Sequence, residues 1–276
     1  MLFKKVYIEG LDYHLPQDIV TSAEIEKRLG PIYERLKLPQ GRLELMSGIK
    51  ERRFWDKGIV PSEVATIAGE KAIARAGINK DNIGCLISAS VCRDFIEPST
   101  ASIIHRNLKI PSEAFVFDVS NACLGVLNGM MIIANMIDQN QILAGLVVAG
   151  ENGGPLLNNT IETLLSRPDI TRSTIKSSFA SLTIGSAAVG VVLSHKKISR
   201  QGHRLMGGVS LAETQFNHLC RGNDDSGTSG NWSPLMETDS EALMQEGCRL
   251  AGKTWERTRE ELGWVNEDVN RVFCHQ

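Results

Sequence analysis

The chain has 276 residues, enough for one large layered domain or two fused halves, and its 42% hydrophobic and 22% charged residues are ordinary for a globular protein. A net charge of −2 excludes recruitment to nucleic acid by charge alone, and no apolar stretch approaches the ~18 residues of a membrane span. The six cysteines form no CxxC pair, so we expect no metal site and no disulfide framework, and we expect a reducing cytoplasm as the location.

The first sixty residues predict a strand and a helix ahead of a basic and aromatic segment. Residues Lys4 to Glu9 alternate in hydrophobicity as a strand does, and Thr21 to Glu24 form a capping box for a helix that ends at Gly30-Pro31. The next segment, Gly48 to Trp55, reads Gly-Ile-Lys-Glu-Arg-Arg-Phe-Trp. It is typical either of a solvated turn with one aromatic anchor or of a site for a phosphate-bearing ligand.

Helix and strand patterns alternate in the following fifty residues. Apolar positions at helical spacing predict a helix from Ser62 to Ala76, which Gly77 closes, and a buried strand follows from Ile83 to Ser90. A polar loop from Arg93 to Thr100 then leads into another helix. We expect Pro98 to begin that helix, because proline suits the first helical position.

The most informative stretch joins a predicted strand to a predicted helix. The apolar run Phe115 to Val119 indicates a buried strand, Ser120 and Asn121 supply turn and capping chemistry, and a helix follows from Leu124 to Asn140. Cys123 therefore lies at the strand-to-helix corner, where backbone N–H groups and the helix dipole favour a thiolate and can hold an oxyanion. The alternative is that Cys123 is a small buried hydrophobic residue, as most free cysteines are.

The rest of the chain continues the alternation of strands and helices. The predicted elements are strands at Ile142 to Ala149 and Ala187 to Leu193, a polar excursion at 156 to 180, a loop at Arg221 to Gly230, a helix at Glu241 to Leu262 and a last strand at Val269 to Phe273. The pair Asp224 and Asp225 is more typical of a solvated loop than of a metal site. The scattered histidines His105, His195, His203 and His218 are assigned surface or structural positions.

Two segments resemble each other at a constant offset. Residues Ala76 to Ile83 and Leu262 to Val269 both read as a helix end, a glycine and an acidic turn, and an apolar strand is predicted after each. The repeat predicts two similar α/β halves, at 1–197 and 198–276, of which the second lacks its end. The alternative is a chance likeness between two short turns.

Four segments carry a family resemblance. They are Asp118-Val-Ser-Asn-Ala-Cys-Leu-Gly-Val at the corner, Gly48-Ile-Lys-Glu-Arg-Arg, Thr183-Ile-Gly-Ser-Ala-Ala-Val-Gly190 and Phe273-Cys-His-Gln276. Together they resemble motifs of the thiolase superfamily, within it the 3-oxoacyl-ACP synthase III branch and most of all the OleA-type acyl-CoA condensing enzymes. The resemblance implies a five-layer αβαβα fold of two similar halves and a homodimer.

The resemblance also implies residue roles. Cys123 would be the acylated nucleophile and His275 the histidine of the family's triad, whose asparagine motif does not follow here. A chain ending at His275-Gln276 is therefore expected to be inactive. In the OleA-type enzymes a glutamate in a segment like Arg93 to Thr100 reaches across the dimer as the general base, and Glu97 matches it. The tryptophan and arginine that clamp coenzyme A in the synthase III branch are not evident before Gly48.

The implied activity is that of an acyltransferase which condenses two fatty acyl-CoA thioesters to a β-ketoacyl product through an acyl-Cys123 intermediate. No tightly bound cofactor is expected, since the coenzyme A thioesters are the substrates. Three alternatives stay open: a 3-oxoacyl-ACP synthase III using malonyl-ACP, with an acyl carrier protein as partner, an inactive acyl-binding relative, and a cysteine protease. The repeat and the apolar strands speak against the protease.

Overall fold

The computed structural model describes residues 1–222 and 235–275. Residues 223–230 of the predicted loop, which include Asp224 and Asp225, lie outside that range, and the first two residues of the loop belong to a strand. The strands are β1 (Val6–His14), β2 (Asp18–Thr21), β3 (Glu51–Phe54), β4 (Ile83–Ser88), β5 (Phe115–Asp118), β6 (Ala144–Glu151), β7 (Ala187–His195), β8 (His203–Arg204), β9 (Cys220–Gly222) and β10 (Met236–Thr238). The helices are α1 (Ser22–Arg28), α2 (Gly30–Leu36), α3 (Arg42–Ser47), α4 (Pro61–Ala76), α5 (Thr100–Leu108), α6 (Gly125–Asp138), α7 (Gly154–Ser166), α8 (Arg172–Ser177) and α9 (Ser240–Leu262).

A mixed six-stranded sheet forms the centre, in the order β5-β4-β6-β7-β1-β8. Strand β4 runs parallel to β5 and β6, whereas the pairs β6–β7, β7–β1 and β1–β8 are antiparallel. The short ladders β2–β3 and β9–β10 stand apart from it. Because β4 and β5 are parallel, their carboxyl ends lie side by side, and the segments that follow them leave the sheet at the same place.

Helices cover both faces of this sheet. On one face α4 and α5 pack against Leu86 of β4 and Leu146 of β6, and on the other α6 packs against the neighbouring Ile87 and Val147. Successive strand residues thus enter opposite cores, which is why both strands are apolar without interruption. The strand predicted at Ile142 to Ala149 is confirmed as β6.

A third apolar core joins α1 and α2 to α7. Ile25 of α1 and Leu29, the residue between α1 and α2, pack with Leu157 and Ile161 of α7, and all four are buried. The Thr21 capping box is confirmed, since the Thr21 hydroxyl accepts the Glu24 N–H at 3.1 Å and the Glu24 carboxylate accepts the Thr21 N–H at 2.7 Å. The polar excursion predicted at 156–180, for which short helices are expected, holds most of α7 and all of α8.

The internal repeat is confirmed at the two helix ends. Gly77 closes α4 and Gly263 closes α9, each with a left-handed backbone (φ +63° and +67°) and a hydrogen bond to the carbonyl four residues earlier. A 3-10 helix follows each glycine, at Lys80–Asn82 and Asn266–Asp268. The two segments therefore share one helix-to-turn geometry as well as a sequence pattern. The division at 197/198 stays a prediction.

The strand predicted at Val269 to Phe273 is wrong. Residues 269–275 have no strand conformation, 270–275 are exposed, and none of the described strands pairs with them. The first copy of the repeat leads instead into β4, which has a hydrogen-bonded neighbour on each side. An apolar pattern becomes a strand only where partner strands satisfy its backbone groups.

Two predictions of local detail are also wrong. The run from Phe115 forms β5, but β5 is an edge strand, and Phe115 is 60% exposed instead of buried. Helix α5 begins at Thr100 with Ser99 as its capping residue, whose Oγ accepts the Ser102 N–H at 3.3 Å, so Pro98 lies before the helix. No helix among the described residues is long and apolar enough to cross a membrane.

Candidate active site

The corner that carries Cys123 is confirmed between β5 and α6. Val119 donates its N–H to the Ser88 carbonyl at 2.8 Å, which holds the end of β5 against β4. Ala122 then has a left-handed backbone (φ +43°), a conformation that side chains disfavour, and a 3-10 helix over Ala122–Leu124 leads into α6. Cys123 is exposed at this corner, so the alternative of a buried hydrophobic residue does not hold in the chain described.

Two glycines let α6 approach the sheet behind the corner. A Cβ atom on Gly125 would lie 2.8 Å from the Ala89 carbonyl oxygen, and one on Gly129 would lie 2.9 Å from a methyl group of Val147. At either distance an added Cβ atom would force the helix or its neighbour to move. The sequence Cys-Leu-Gly-Val-Leu-Asn-Gly is therefore a packing pattern that sets where Cys123 stands.

A side-chain bond braces the turn. The Asn121 side-chain amide donates to the side-chain oxygen Oδ1 of Asn128 at 2.5 Å, which joins the turn before Cys123 to the fourth residue of α6. Because the bond spans the nucleophile position, the backbone on both sides of Cys123 is fixed.

Two other cysteines near the sheet are unsuited to nucleophilic chemistry. Burial raises the pKa of Cys85 to about 12. Burial, followed by the negative charge of Glu151, raises the pKa of Cys92 to about 12 as well. Both therefore stay neutral thiols at physiological pH, and a thiolate, not a thiol, is the nucleophile.

Glu97 lies in the loop between β4 and α5. This loop and the Cys123 corner both follow the carboxyl ends of the neighbouring strands β4 and β5. The link is Asp118, the last residue of β5, whose two carboxylate oxygens accept the N–H groups of Thr100 (2.9 Å) and Ala101 (2.8 Å) at the start of α5. Asp118 thus ties the strand that leads to Cys123 to the helix that follows Glu97. Glu97 itself is exposed.

His275 is exposed, in the segment that follows α9. In residues 1–222 and 235–275, no hydrogen bond or ion pair joins any two of Cys123, Glu97 and His275. The structure therefore brings the Cys123 corner and the Glu97 loop to one edge of the sheet, while the contribution of His275 stays a prediction.

The basic and aromatic segment is a strand, β3, and not a turn. Arg52 is only 6% exposed and donates to the Ser22 hydroxyl at 3.0 Å, and Arg53 donates to the Pro16 carbonyl at 2.9 Å. Trp55 donates its ring N–H to the Glu151 carbonyl at 3.0 Å. These contacts support structural positions for the three side chains, and the phosphate-ligand hypothesis stays a prediction.

Sequence reasoning missed the side chains that hold the Glu97 loop. Glu151 accepts the N–H groups of Val91 (2.7 Å) and Cys92 (3.2 Å), and Asp94 accepts two hydrogen bonds from Ser62. One signal was available for Asp94: Val60-Pro61 starts α4 without a capping side chain, so another residue must satisfy its first N–H groups.

A surface cleft of about 860 Å³ lies beside this loop, between α4 and α5. Asp94, Phe95 and Pro98 line it on the loop side, and Ile67 and Ile103 on the helix side. Neither Cys123 nor Glu97 is part of its wall, so we do not assign it to the acyl chain. Within the described residues no three metal-ligating side chains come together.

A mixed sheet between helix layers, with an exposed cysteine at a tight strand-to-helix corner, defines a thiolase-like acyl-transferring enzyme. No protein-family model matches the chain. Curated relatives do: the acyl-CoA:acyl-CoA alkyltransferase of Shewanella oneidensis is 38% identical over the whole chain and 79% of its own length. The protein of the same name from Xanthomonas campestris pv. campestris is 39% identical over the same shares. The chain belongs to the acyl-CoA:acyl-CoA alkyltransferase family.

The solved structures agree with this assignment. The crystal structure of a glutamate-to-aspartate variant of Xanthomonas campestris OleA superposes with a TM-score of 0.90 at 38% identity, over 98% of this chain and 76% of that one. A β-ketoacyl-[acyl-carrier-protein] synthase III of Koribacter versatilis matches more weakly, at 29% identity over 57% of the chain. The expected thiolase-like αβαβα fold class is confirmed, and so is the preference for the OleA-type branch.

Proposed function

We propose that this enzyme joins two fatty acyl-CoA molecules by Claisen condensation, with Cys123 as the acyl carrier and Glu97 as the base. The exposed thiol at the braced corner before α6 carries the proposal. In the first step the Cys123 thiolate attacks an acyl-CoA and forms a thioester, and the C–S bond to coenzyme A breaks. Coenzyme A leaves as a thiolate and takes up the proton that the Cys123 thiol lost on ionising.

The second step needs a carbanion. The Glu97 carboxylate takes a proton from the α-carbon of a second acyl-CoA, and the resulting enolate attacks the carbonyl carbon of the Cys123 thioester. A C–C bond forms, the C–S bond to Cys123 breaks, and the thiolate leaves, which yields a β-ketoacyl-CoA. His275 donates a hydrogen bond to the thioester or enolate oxygen.

The variants solved for the Xanthomonas campestris protein support these roles. They include substitutions of a glutamate, a cysteine and a histidine, the same three residue types proposed here. The glutamate and the cysteine of that protein are separated by as many residues as Glu97 and Cys123, whereas the interval from cysteine to histidine is somewhat shorter there. A cysteine-to-serine variant of that protein binds lauroyl-CoA and lauric acid.

We also propose a homodimer in which β5 of one chain adjoins β5 of another. Among the described strands β5 pairs only with β4, so the other edge of β5 presents unpaired backbone groups. Apolar side chains stand exposed along this part of the chain, namely Val91, Phe95, Ile96, Phe115, Leu124 and Leu127. An exposed apolar edge strand invites pairing with a second sheet. Such a dimer would bring the Glu97 loop of one chain towards the other chain.

The cytoplasm is the proposed location, because all six cysteines are free thiols. The second candidate function is 3-oxoacyl-ACP synthase III activity, which the Koribacter versatilis match favours. Such an enzyme obtains its carbanion by decarboxylating a malonyl group on an acyl carrier protein and so does not need Glu97. Condensation that requires malonyl-ACP and survives Glu97→Ala would support this alternative.

The test of the proposed function is intact-protein mass spectrometry after incubation with lauroyl-CoA. We expect one acyl adduct on the unmodified chain and none on Cys123→Ala, because the thioester forms at that sulfur. Cys92→Ala is the matched control and should keep the adduct, since Cys92 is held as a thiol. This expected adduct is the opposite of the inactivity that the family resemblance implies for a chain without the asparagine motif, so the same measurement decides between the two. An unmodified chain that takes no acyl group would agree with that inactivity and would leave an inactive acyl-binding relative as the better description.

A further inference from the structure

The loop that carries Glu97 has little packing of its own. The four side chains of residues 95–98 are all exposed, and Phe95 and Ile96 are apolar residues 59% and 52% exposed. Within the described chain, no hydrogen bond or ion pair is made by the Glu97 carboxylate. Within one chain, the position of Glu97 is therefore set by the residues at which the loop is attached on either side.

Asp94 is the attachment on the amino-terminal side. One of its carboxylate oxygens accepts the Ser62 N–H at 2.9 Å and the other accepts the Ser62 hydroxyl at 2.5 Å. Ser62 is only 3% exposed and lies in the first turn of α4, whose capping residue Val60 offers no side-chain acceptor. Asp94 thus caps α4 from a distance, and in return α4 fixes the loop three residues before Glu97.

The other attachments do not replace Asp94. Asp118 holds the start of α5, beyond Glu97, and Glu151 holds Val91 and Cys92 at the root of the loop. Without the bond to Ser62, the chain from Cys92 to Ser99 would span the gap with no side-chain anchor between its ends. Glu97 lies in the middle of that span.

We propose that Asp94 is a positioning residue for the condensation, acting through the loop to place the Glu97 carboxylate. The inference rests on the proposed function, in which Glu97 removes the α-proton of the second acyl-CoA. A general base must lie within hydrogen-bond reach of the proton it takes. Acylation of Cys123 by the first acyl-CoA needs no such base from this loop. Loss of Asp94 therefore impairs one half of the reaction and spares the other.

The experiment separates the two halves in the full chain. Lauroyl-CoA supplies the acyl group, mass spectrometry measures the rate at which the Cys123 adduct forms, and loss of deuterium from α-deuterated lauroyl-CoA measures proton removal. In Asp94→Ala we expect adduct formation within about twofold of the unmodified rate and proton removal slowed by about 10- to 100-fold, as for a base displaced by ~1 Å. Asp94→Asn keeps one acceptor oxygen, so its rate of proton removal should lie between the rates of the unmodified chain and of Asp94→Ala.

A matched control removes a carboxylate bond from the other end of the same helix. Asp12 binds Arg75 near the carboxyl end of α4 at 2.7 Å, and Asp12→Ala should change neither half-reaction. Hydrogen exchange at residues 91–99 gives a readout free of catalysis: Asp94→Ala and Ser62→Ala should both speed it, whereas Asp12→Ala should not. Ser62→Ala removes the hydroxyl donor but keeps the backbone N–H donor to Asp94. It replaces Asp94→Ala in both measurements if Asp94→Ala does not fold.

Two results would overturn the inference: proton removal in Asp94→Ala at the unmodified rate, or an equal loss of both half-reactions, which would mark Asp94 as purely structural. Failure of the proposed function looks different, because then the unmodified chain itself forms no Cys123 adduct.

Discussion

At the scale of single residues, His195 shows how burial fixes a protonation state. Its side chain is buried at the end of β7, so of the surface and structural positions left open for it, the structural one is found. Lys197 donates its backbone N–H to Nδ1 at 3.0 Å, so the ring proton resides on Nε2, which lies 3.2 Å from the Asn140 side-chain oxygen. Burial first, and then the charges of Lys197, Lys5 and Lys196, lower the pKa of His195, whereas Asp138 opposes them.

This pKa predicts a pH-dependent stability. The folded-state pKa lies below the usual 6.5, so the unfolded chain binds the proton first as the pH falls. The stability contributed by neutral His195 is therefore present above pH 6.5 and is lost as the pH drops towards the folded-state pKa. We expect His195→Gln to flatten this loss, as measured by urea unfolding on either side of pH 6.5.

The control is His203→Gln, since His203 is exposed. It should leave the pH dependence unchanged. A His195→Gln curve as steep as that of the unmodified chain would assign the loss to other groups, of which His14 is one, because burial lowers its pKa in the same direction.

At the scale of elements, the docking of α6 on the sheet decides where the nucleophile stands. Gly125 is the first residue of α6, and an added Cβ would meet the Ala89 carbonyl oxygen at 2.8 Å. A backbone carbonyl cannot rotate away as a side chain can. Gly125→Ala should therefore push α6 and the Cys123 corner outward, at a cost of about 1–3 kcal/mol in the free energy of unfolding. Acylation of Cys123 should slow as well.

Gly252→Ala in α9 is the matched control for this prediction. A Cβ there meets nothing within 4 Å, so the substitution should act through helix propensity alone and stabilise α9 by up to ~1 kcal/mol. Thermal unfolding and the rate of adduct formation measure both variants. The close approach of α6 would be refuted by a Gly125→Ala chain that matches the unmodified one in both respects.

Long periodic elements could be predicted from the sequence because their signals are local. The pattern of α4, the Thr21 capping box and the glycines at 77 and 263 are contained within a few turns of chain. The corner at Cys123 was predictable for the same reason.

What could not be predicted depends on partners distant in sequence. Residues 269–273 have the composition of a strand but pair with none of the described strands, and Phe115 belongs to a strand at the edge of the sheet. The bond from Asp94 to Ser62 likewise joins segments 32 residues apart, so no local pattern reveals it. The nearness of the segments that carry Cys123 and Glu97 could be inferred only once β4 and β5 were known to be parallel neighbours.

At the scale of the whole molecule, the proposed dimer connects the β5 edge to the chemistry. Two copies related by a two-fold axis can pair β5 with β5 in antiparallel fashion, because such an interface applies the same surface patch twice. Phe115 lies on that edge, and its 60% exposure leaves apolar surface to be covered. In the proposed arrangement the Glu97 of one chain would remove the α-proton of the acyl-CoA that condenses with the acyl group on Cys123 of the other chain.

Mixing two inactive variants tests that arrangement. Glu97→Ala keeps the thiol and Cys123→Ala keeps the base, so neither homodimer condenses lauroyl-CoA. After subunit exchange, a heterodimer contains one site with both groups, and we expect about a quarter of the unmodified activity if exchange is random. The same pair carrying Phe115→Lys should regain nothing, since a charge at the edge disfavours pairing. If Glu97 serves its own chain, no site in the mixture is complete and no activity returns.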